Sequence, residues 1–142
     1  MYKDILLPVD LDQEESWNKA LPTAIEYCKA FGSRLHVMTV VPDFGLPMVA
    51  TYFPKNFEHK AVEEANKHLH SFVSQHVPKE VPVQHIVAEG RVYKEIIRVA
   101  GEINADLILM ASHRPELRDY FIGPNAEHVI RHASQSVLVV RS

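Results

Sequence analysis

Short continuous apolar runs alternate along the chain with longer stretches of helical period. Ile5-Leu-Leu-Pro-Val9 is one such run, bounded by Asp4 and Asp10. Strands buried on both faces of a parallel sheet read this way, with no alternation of apolar and polar residues. Pro8 has no N–H for a sheet ladder, so the strand is expected to end there, with Asp10 just past its carboxyl end. Open α/β sheets take their ligands at that end.

The next segment, Asp12-Gln-Glu-Glu15, has capping-box spacing and predicts a helix start. Trp17, Leu21, Ile25 and Cys28 then share one helical face, Pro22 is expected to kink or break the helix, and Gly32 is placed to cap its end. Leu35 to Val41 reads as a second strand, ended by Pro42. From Asp43 to Pro54 the chain carries Phe44, Tyr52 and Phe53 among glycine and prolines, which predicts a long loop. We read it as a packed surface flap, with a lid over a ligand as the alternative.

Ala61, Ala65, Leu69, Phe72 and Val73 mark a helix whose opposite face carries Glu63, Glu64 and Lys67. Pro78 and Pro82 precede a third strand, Val83 to Val87, and Glu89-Gly90 turns the chain into a helix with apolar Val92, Ile96, Val99, Ala100 and Ile103. A fourth strand, Asp106 to Met110, runs into a loop from Ala111 to Ile122. A helix from about Asn125 to His132 and a last strand, Ser136 to Val140, complete the series. Repeated strand and helix alternation argues for a parallel sheet covered by helices on both faces, joined by right-handed crossovers. With 142 residues and no internal repeat or low-complexity linker, one domain is expected.

Charge and cysteine content change the picture only by exclusion. A formal net charge of −3 offers no footprint for nucleic acid or an anionic membrane. No run is long enough for a signal peptide or a bilayer span, and a single cysteine, Cys28, excludes an internal disulfide. A cytoplasmic setting is the expectation, with Cys28 read as a small buried apolar residue.

The candidate chemistry gathers at the fourth strand and at the loop and helix after it. A loop that leaves a buried strand and feeds a helix N-terminus at Gly123 presents backbone N–H groups to an anion, helped by the helix dipole. Asp10 is read as facing a ligand, its alternative being a cap on the following helix. His113 lies in the ligand loop, where it either donates to phosphate or ribose or packs the loop. The nine histidines do not announce a metal site: His68 and His70 point apart on a helix, and His128 and His132 share a face without an evident third ligand. Ser112 beside His113 is adjacency in sequence rather than a catalytic pair, and no general base can be named.

These residues resemble the universal stress protein family along the whole chain. The likeness lies in Ile5-Leu-Leu-Pro-Val-Asp10, the strand end Val40-Val41, the Glu89-Gly90 turn and, most specifically, Glu127-His-Val-Ile-Arg-His-Ala-Ser-Gln-Ser-Val-Leu-Val-Val140. The resemblance implies an open parallel five-stranded sheet, Rossmann-like or adenine nucleotide alpha hydrolase-like, with strand order 3-2-1-4-5. It also implies ATP as ligand, a homodimer formed through Val137, Leu138, Val139 and Val140, and a regulatory protein partner.

Nucleotide-binding members carry Gly-x2-Gly-x9-Gly-Ser/Thr after the fourth strand. Here Ala111 and Arg114 stand at the first two glycines, the spacing to Gly123 is one residue shorter, and Pro124 replaces the hydroxyl residue. Ala111 adds a methyl, Arg114 adds a cation suited to phosphate, and Pro124 removes a hydroxyl and an N–H while suiting a first helical turn. By resemblance Asp10 lies beside the nucleoside, Val40 reads the adenine edge through its backbone, and Met110, Gly123 and Asn125 line the ribose and phosphate side. Pro8, Val9, Ala111, His113, Arg114, Pro124 and Ala126 complete the expected site. Asp10 would oppose an anionic phosphate unless a divalent cation intervened, so Mg2+ is expected with the nucleotide. Two alternatives stand beside this reading: a dimeric interaction module without nucleotide affinity, and a slow ATPase.

Overall fold

The computed structural model describes residues 1–42, 57–112 and 123–141. Five strands, β1 (Asp4–Pro8), β2 (Arg34–Pro42), β3 (Val83–Gly90), β4 (Leu107–Ser112) and β5 (Ser136–Arg141), form one parallel sheet in the order β3-β2-β1-β4-β5. The helices are α1 (Ala20–Phe31), α2 (Phe57–His76), α3 (Val92–Glu102) and α4 (Gly123–His132), with a 3-10 turn at Glu14–Ser16. The architecture expected from the apolar runs is the one observed.

β1 is the innermost strand, and Ile5 to Val9 are buried throughout. Its neighbours are set by register: Leu6 lies beside His36 of β2 and Ile108 of β4. Each fully buried aliphatic side chain contributes roughly 1.5–3 kcal/mol, so a five-residue run buried on both faces commits the chain to a covered sheet. The cover comes in two pairs. Trp17, ahead of α1, packs edge-on against Phe72 and His76 of α2, at ring separations of 5.0 and 4.9 Å. On the other face α3 packs on α4, with Tyr93 stacked on His128 at 4.4 Å. The pairing is what right-handed crossovers require when the chain winds outward from β1 to β3 and then returns across the sheet.

At the amino-terminal edge of the sheet a polar seam holds the strands together. The Asp106 carboxylate accepts the N–H groups of Lys3 (2.9 Å) and Asp4 (3.0 Å), joining the starts of β1 and β4. Burial works against the charge, yet these donors and the residue's own N–H outweigh it and hold the carboxyl below its ordinary range. His36, buried in β2, has its two ring nitrogens 2.9 Å from Asp4 Oδ1 and 2.6 Å from Gln84 Oε1. A buried polar ring at this edge is tolerated because both of its nitrogens have partners.

Several boundaries differ from the sequence expectation. Asp12 does not cap a helix; its N–H donates to Asp10 Oδ1 at 3.0 Å, and the chain makes a 3-10 turn before α1 begins at Ala20. Pro22 therefore falls in the first turn of α1, where its missing N–H has no intrahelical partner to lose, so it neither kinks nor breaks the helix. β3 runs on to Gly90, β4 to Ser112 and β5 to Arg141, because parallel pairing carries each ladder beyond the purely apolar core of its strand. Ala111 is thus a strand residue rather than a loop residue, α4 opens at Gly123 rather than near Asn125, and Ile103 caps α3 from outside it. The expected loop at 43–54 lies outside the described residues.

Gly32 ends α1 in the left-handed conformation, φ 68°, as its position predicts. Gly90 is more constrained: its φ is 138°, and an added Cβ would sit 3.3 Å from Glu95 Cγ. Gly90→Ala is expected to destabilise the fold by roughly 1–3 kcal/mol. Urea denaturation monitored by the single tryptophan, Trp17, measures it; an unchanged midpoint would contradict the backbone assignment at this turn.

Candidate functional site

The crossovers leave β1 toward β2 and return from β3 to β4, so the loops part at the carboxyl ends of β1 and β4. Ligands of open α/β sheets bind in such a parting. One lip is the turn after β1. Pro8 and Val9 are buried, Val9 N–H donates to Met38 O at 2.8 Å, and Asp10 follows, partly exposed. The other lip is the end of β4, where Met110 and Ala111 are buried and pair with Val139 and Val140.

Val40 lies one strand over on β2, beside Ala88 of β3 and buried, with its backbone engaged in the ladder. Beyond β4 the N-terminus of α4 carries Gly123 and Pro124, then Asn125 and Ala126. First-turn N–H groups of a helix have no intrahelical acceptor and carry the positive end of its dipole. Pro124 contributes none, which leaves Gly123, Asn125 and Ala126 as main-chain donors at this mouth. Ala126 is buried against the core, whereas Pro124 is exposed. His113 and Arg114 lie outside the described residues.

Two local arrangements were not legible from spacing. Asn125 Oδ1 accepts the N–H of Tyr93 at 3.1 Å, so the residue expected to line the ribose and phosphate side also caps the first turn of α3. The second concerns Asp10. Its N–H donates to Ser16 Oγ at 2.8 Å, while that hydroxyl lies 2.9 Å from the Asp10 carbonyl and 2.8 Å from the Gln13 carbonyl. A serine six residues after a strand-end aspartate is a turn-former, and this was the available signal. The 3-10 turn that carries Ser16 lies against β4 and so spans both lips.

Burial raises the Asp10 carboxyl above its ordinary value; the Asp12 N–H works the other way, and the Asp12 charge adds to the rise. Cys28 is buried, and burial pushes its thiol up to about 11, which makes it a packing residue rather than a nucleophile. The histidines meet ring to ring. His70 of α2 stacks on His85 of β3 at 4.0 Å, and burial, followed by the neighbouring His70, lowers the His85 pKa. Among the described residues no group of three or more histidine, cysteine or acidic side chains converges, and no helix is long and apolar enough to cross a membrane.

An open parallel sheet whose crossovers part between β1 and β4, with helices on both faces and a strand-end carboxylate after β1, defines a doubly wound α/β protein. Within that class the chain belongs to the universal stress protein family, whose model it matches over residues 1–141. Universal stress protein G of Escherichia coli O157:H7 is 32% identical, over 99% of this chain and 100% of that protein. The solved structure of MJ0577, a universal stress protein of Methanocaldococcus jannaschii, superposes with a TM-score of 0.80 at 25% identity, covering 100% of this chain and 97% of that one. A universal stress protein of Archaeoglobus fulgidus solved with dAMP superposes with a TM-score of 0.67 at 20% identity, covering 97% of each chain.

Asp10→Asn tests the electrostatics of the first lip. With a folded pKa above the unfolded one, the ionised carboxylate costs stability at neutral pH, and that cost vanishes as pH falls through the folded value. The variant keeps the oxygen that accepts Asp12 N–H. Its melting temperature is expected to exceed the parent's at pH 7, by a few degrees at most, and to lose the advantage near pH 3. A pH-independent difference between the two melting curves would remove the assignment.

Proposed function

We propose that this protein binds an adenine nucleotide, ATP with Mg2+, in the crevice between β1 and β4, and acts as a dimeric regulatory member of its family in the cytoplasm. The observation that supports the reading is that β1, which leads into Asp10, and β4, which ends beyond the buried Met110-Ala111 and packs against α4, are neighbours at the sheet's switch point. The dAMP complex of the Archaeoglobus fulgidus protein speaks for what the fold can hold.

The residues present suit such a ligand unevenly. Met110 and Ala111 form an apolar floor, Val40 offers backbone beside it, and the main-chain donors of Gly123, Asn125 and Ala126 suit an anion. Pro8 and Val9 hold the strand end from which Asp10 projects. Arg114 would add a guanidinium for phosphate and His113 a further donor, while Pro124 gives neither hydroxyl nor N–H. Mg2+ would screen the phosphates from the Asp10 carboxylate. With a donor set thinner than three glycines and a hydroxyl, a micromolar rather than nanomolar affinity is the expectation.

Calorimetry with ATP and Mg2+ tests this directly. Saturable binding at one nucleotide per chain, lost on replacing Gly123 by valine, is the expected outcome. No saturation at millimolar ATP would favour an interaction module without nucleotide affinity. Phosphate release that exceeds a contaminant-controlled blank and disappears with Asp10→Ala would instead establish slow turnover.

The proposed dimer would pair through β5, the sheet's edge. Its Val137, Leu138, Val139 and Val140 are all only partly buried, and an apolar edge with unpaired backbone groups favours a second strand. Val137, Leu138 and Val140 pack on the core, so Val139 is the position to change without disturbing the fold. Val139→Lys is expected to shift the protein from dimer to monomer in sedimentation velocity. A parent protein that sediments as a monomer at all concentrations would remove the interface.

A further inference from the structure

We propose that Ser16 is the positioning residue of the crevice, fixing both the direction of Asp10 and the span between the two lips; the inference rests on the nucleotide reading for its ligand but not for its geometry. Ser16 is 4% exposed, although serine at a surface turn is ordinarily solvated. Its hydroxyl accepts the Asp10 N–H at 2.8 Å and shares its single proton between the Asp10 and Gln13 carbonyls, at 2.9 and 2.8 Å. Both main-chain polar groups of Asp10 are thereby tied to one side chain.

A turn of this kind could be closed by its backbone alone. Gln13 N–H already donates to the Asp10 carbonyl, and Ser16 N–H to the Gln13 carbonyl, each at 3.0 Å. What those bonds leave unfixed is the Asp10 N–H and, with it, the φ of Asp10 that aims the carboxyl. Ser16 supplies that bond. Asp10 Oδ1 is then held by Asp12 N–H at 3.0 Å, and among the described residues Oδ2 takes no protein partner. Because the turn carrying Ser16 lies against β4, the same side chain braces the strand-end aspartate against the opposite lip. Loss of the hydroxyl would let the carboxyl swing into water and the lips spread.

The test compares the parent, Ser16→Ala and Ser16→Thr, the last keeping the hydroxyl, by ATP and Mg2+ calorimetry and by carbon NMR titration of the Asp10 carboxyl. If Ser16→Ala does not fold, Ser16→Cys, which keeps the size with a weaker donor and acceptor, replaces it. Ser16→Ala is expected to weaken ATP by about tenfold, one hydrogen bond's worth, and to bring the Asp10 titration down toward the ordinary aspartate value. Ser16→Thr should restore both. An unmoved Asp10 titration overturns the proposal, even with affinity lost, because the loss would then be general loosening. Failure of Ser16→Thr to restore the titration overturns it as well. Should the parent bind no ATP, the nucleotide reading falls while the Asp10 titration alone decides the role of Ser16.

Discussion

The burial of β1 on both faces, with a strand paired along each edge, governs the rest of the molecule. A run of Ile, Leu, Leu, Pro and Val offers no polar side chain to solvent, so helices must cover it above and below and strands must pair on each side. Once β1 is central, the chain winds to one edge through α1 and α2, then returns across the sheet through α3 and α4. The reversal of direction opens the crevice between β1 and β4. The candidate site is thus a consequence of how the sheet is covered rather than an addition to it.

The two ends of the sheet are built on opposite principles. At the amino-terminal end Asp106 and Asp4 are saturated with partners: backbone N–H groups for the one, His36 and Arg34 for the other. These charges stabilise the strand starts because their donors replace water. At the carboxyl end Asp10 is buried enough for its carboxyl to be raised, with one N–H donor and no cation among the described residues. Keeping an under-compensated carboxylate there costs stability, and such cost concentrates where proteins bind ligands.

Departures from the family's glycine pattern acquire a structural meaning. Ala111 lies in the β4 ladder opposite Val140, where extended backbone tolerates a methyl. Pro124 sits in the first turn of α4, where proline fits. Neither substitution strains the fold; Pro124 takes an N–H and a hydroxyl from the helix mouth, whereas Ala111 keeps its N–H and adds only a methyl. Asn125 meanwhile ties α4 to α3 through Tyr93, coupling the helix mouth to the neighbouring helix.

Residue order is enough to read the strands and their parallel arrangement, and it points to the carboxyl end of the sheet as the candidate site. Apolar runs, prolines at strand ends and the glycines at 32 and 90 act over a few residues, and local physics is enough to interpret them. The start of α1 is misread from sequence, because the Asp10 carboxylate takes the Asp12 N–H that a capping box would give to Glu15. The long-range partnerships come from the folded chain: His36 with Gln84 across 48 residues, Asn125 with Tyr93 across 32, His70 against His85. Such contacts exist only after strand order has brought distant segments side by side, and no local periodicity encodes that order. Ser16 lies between the two cases, since its spacing from Asp10 is local but the packing of its turn against β4 is not.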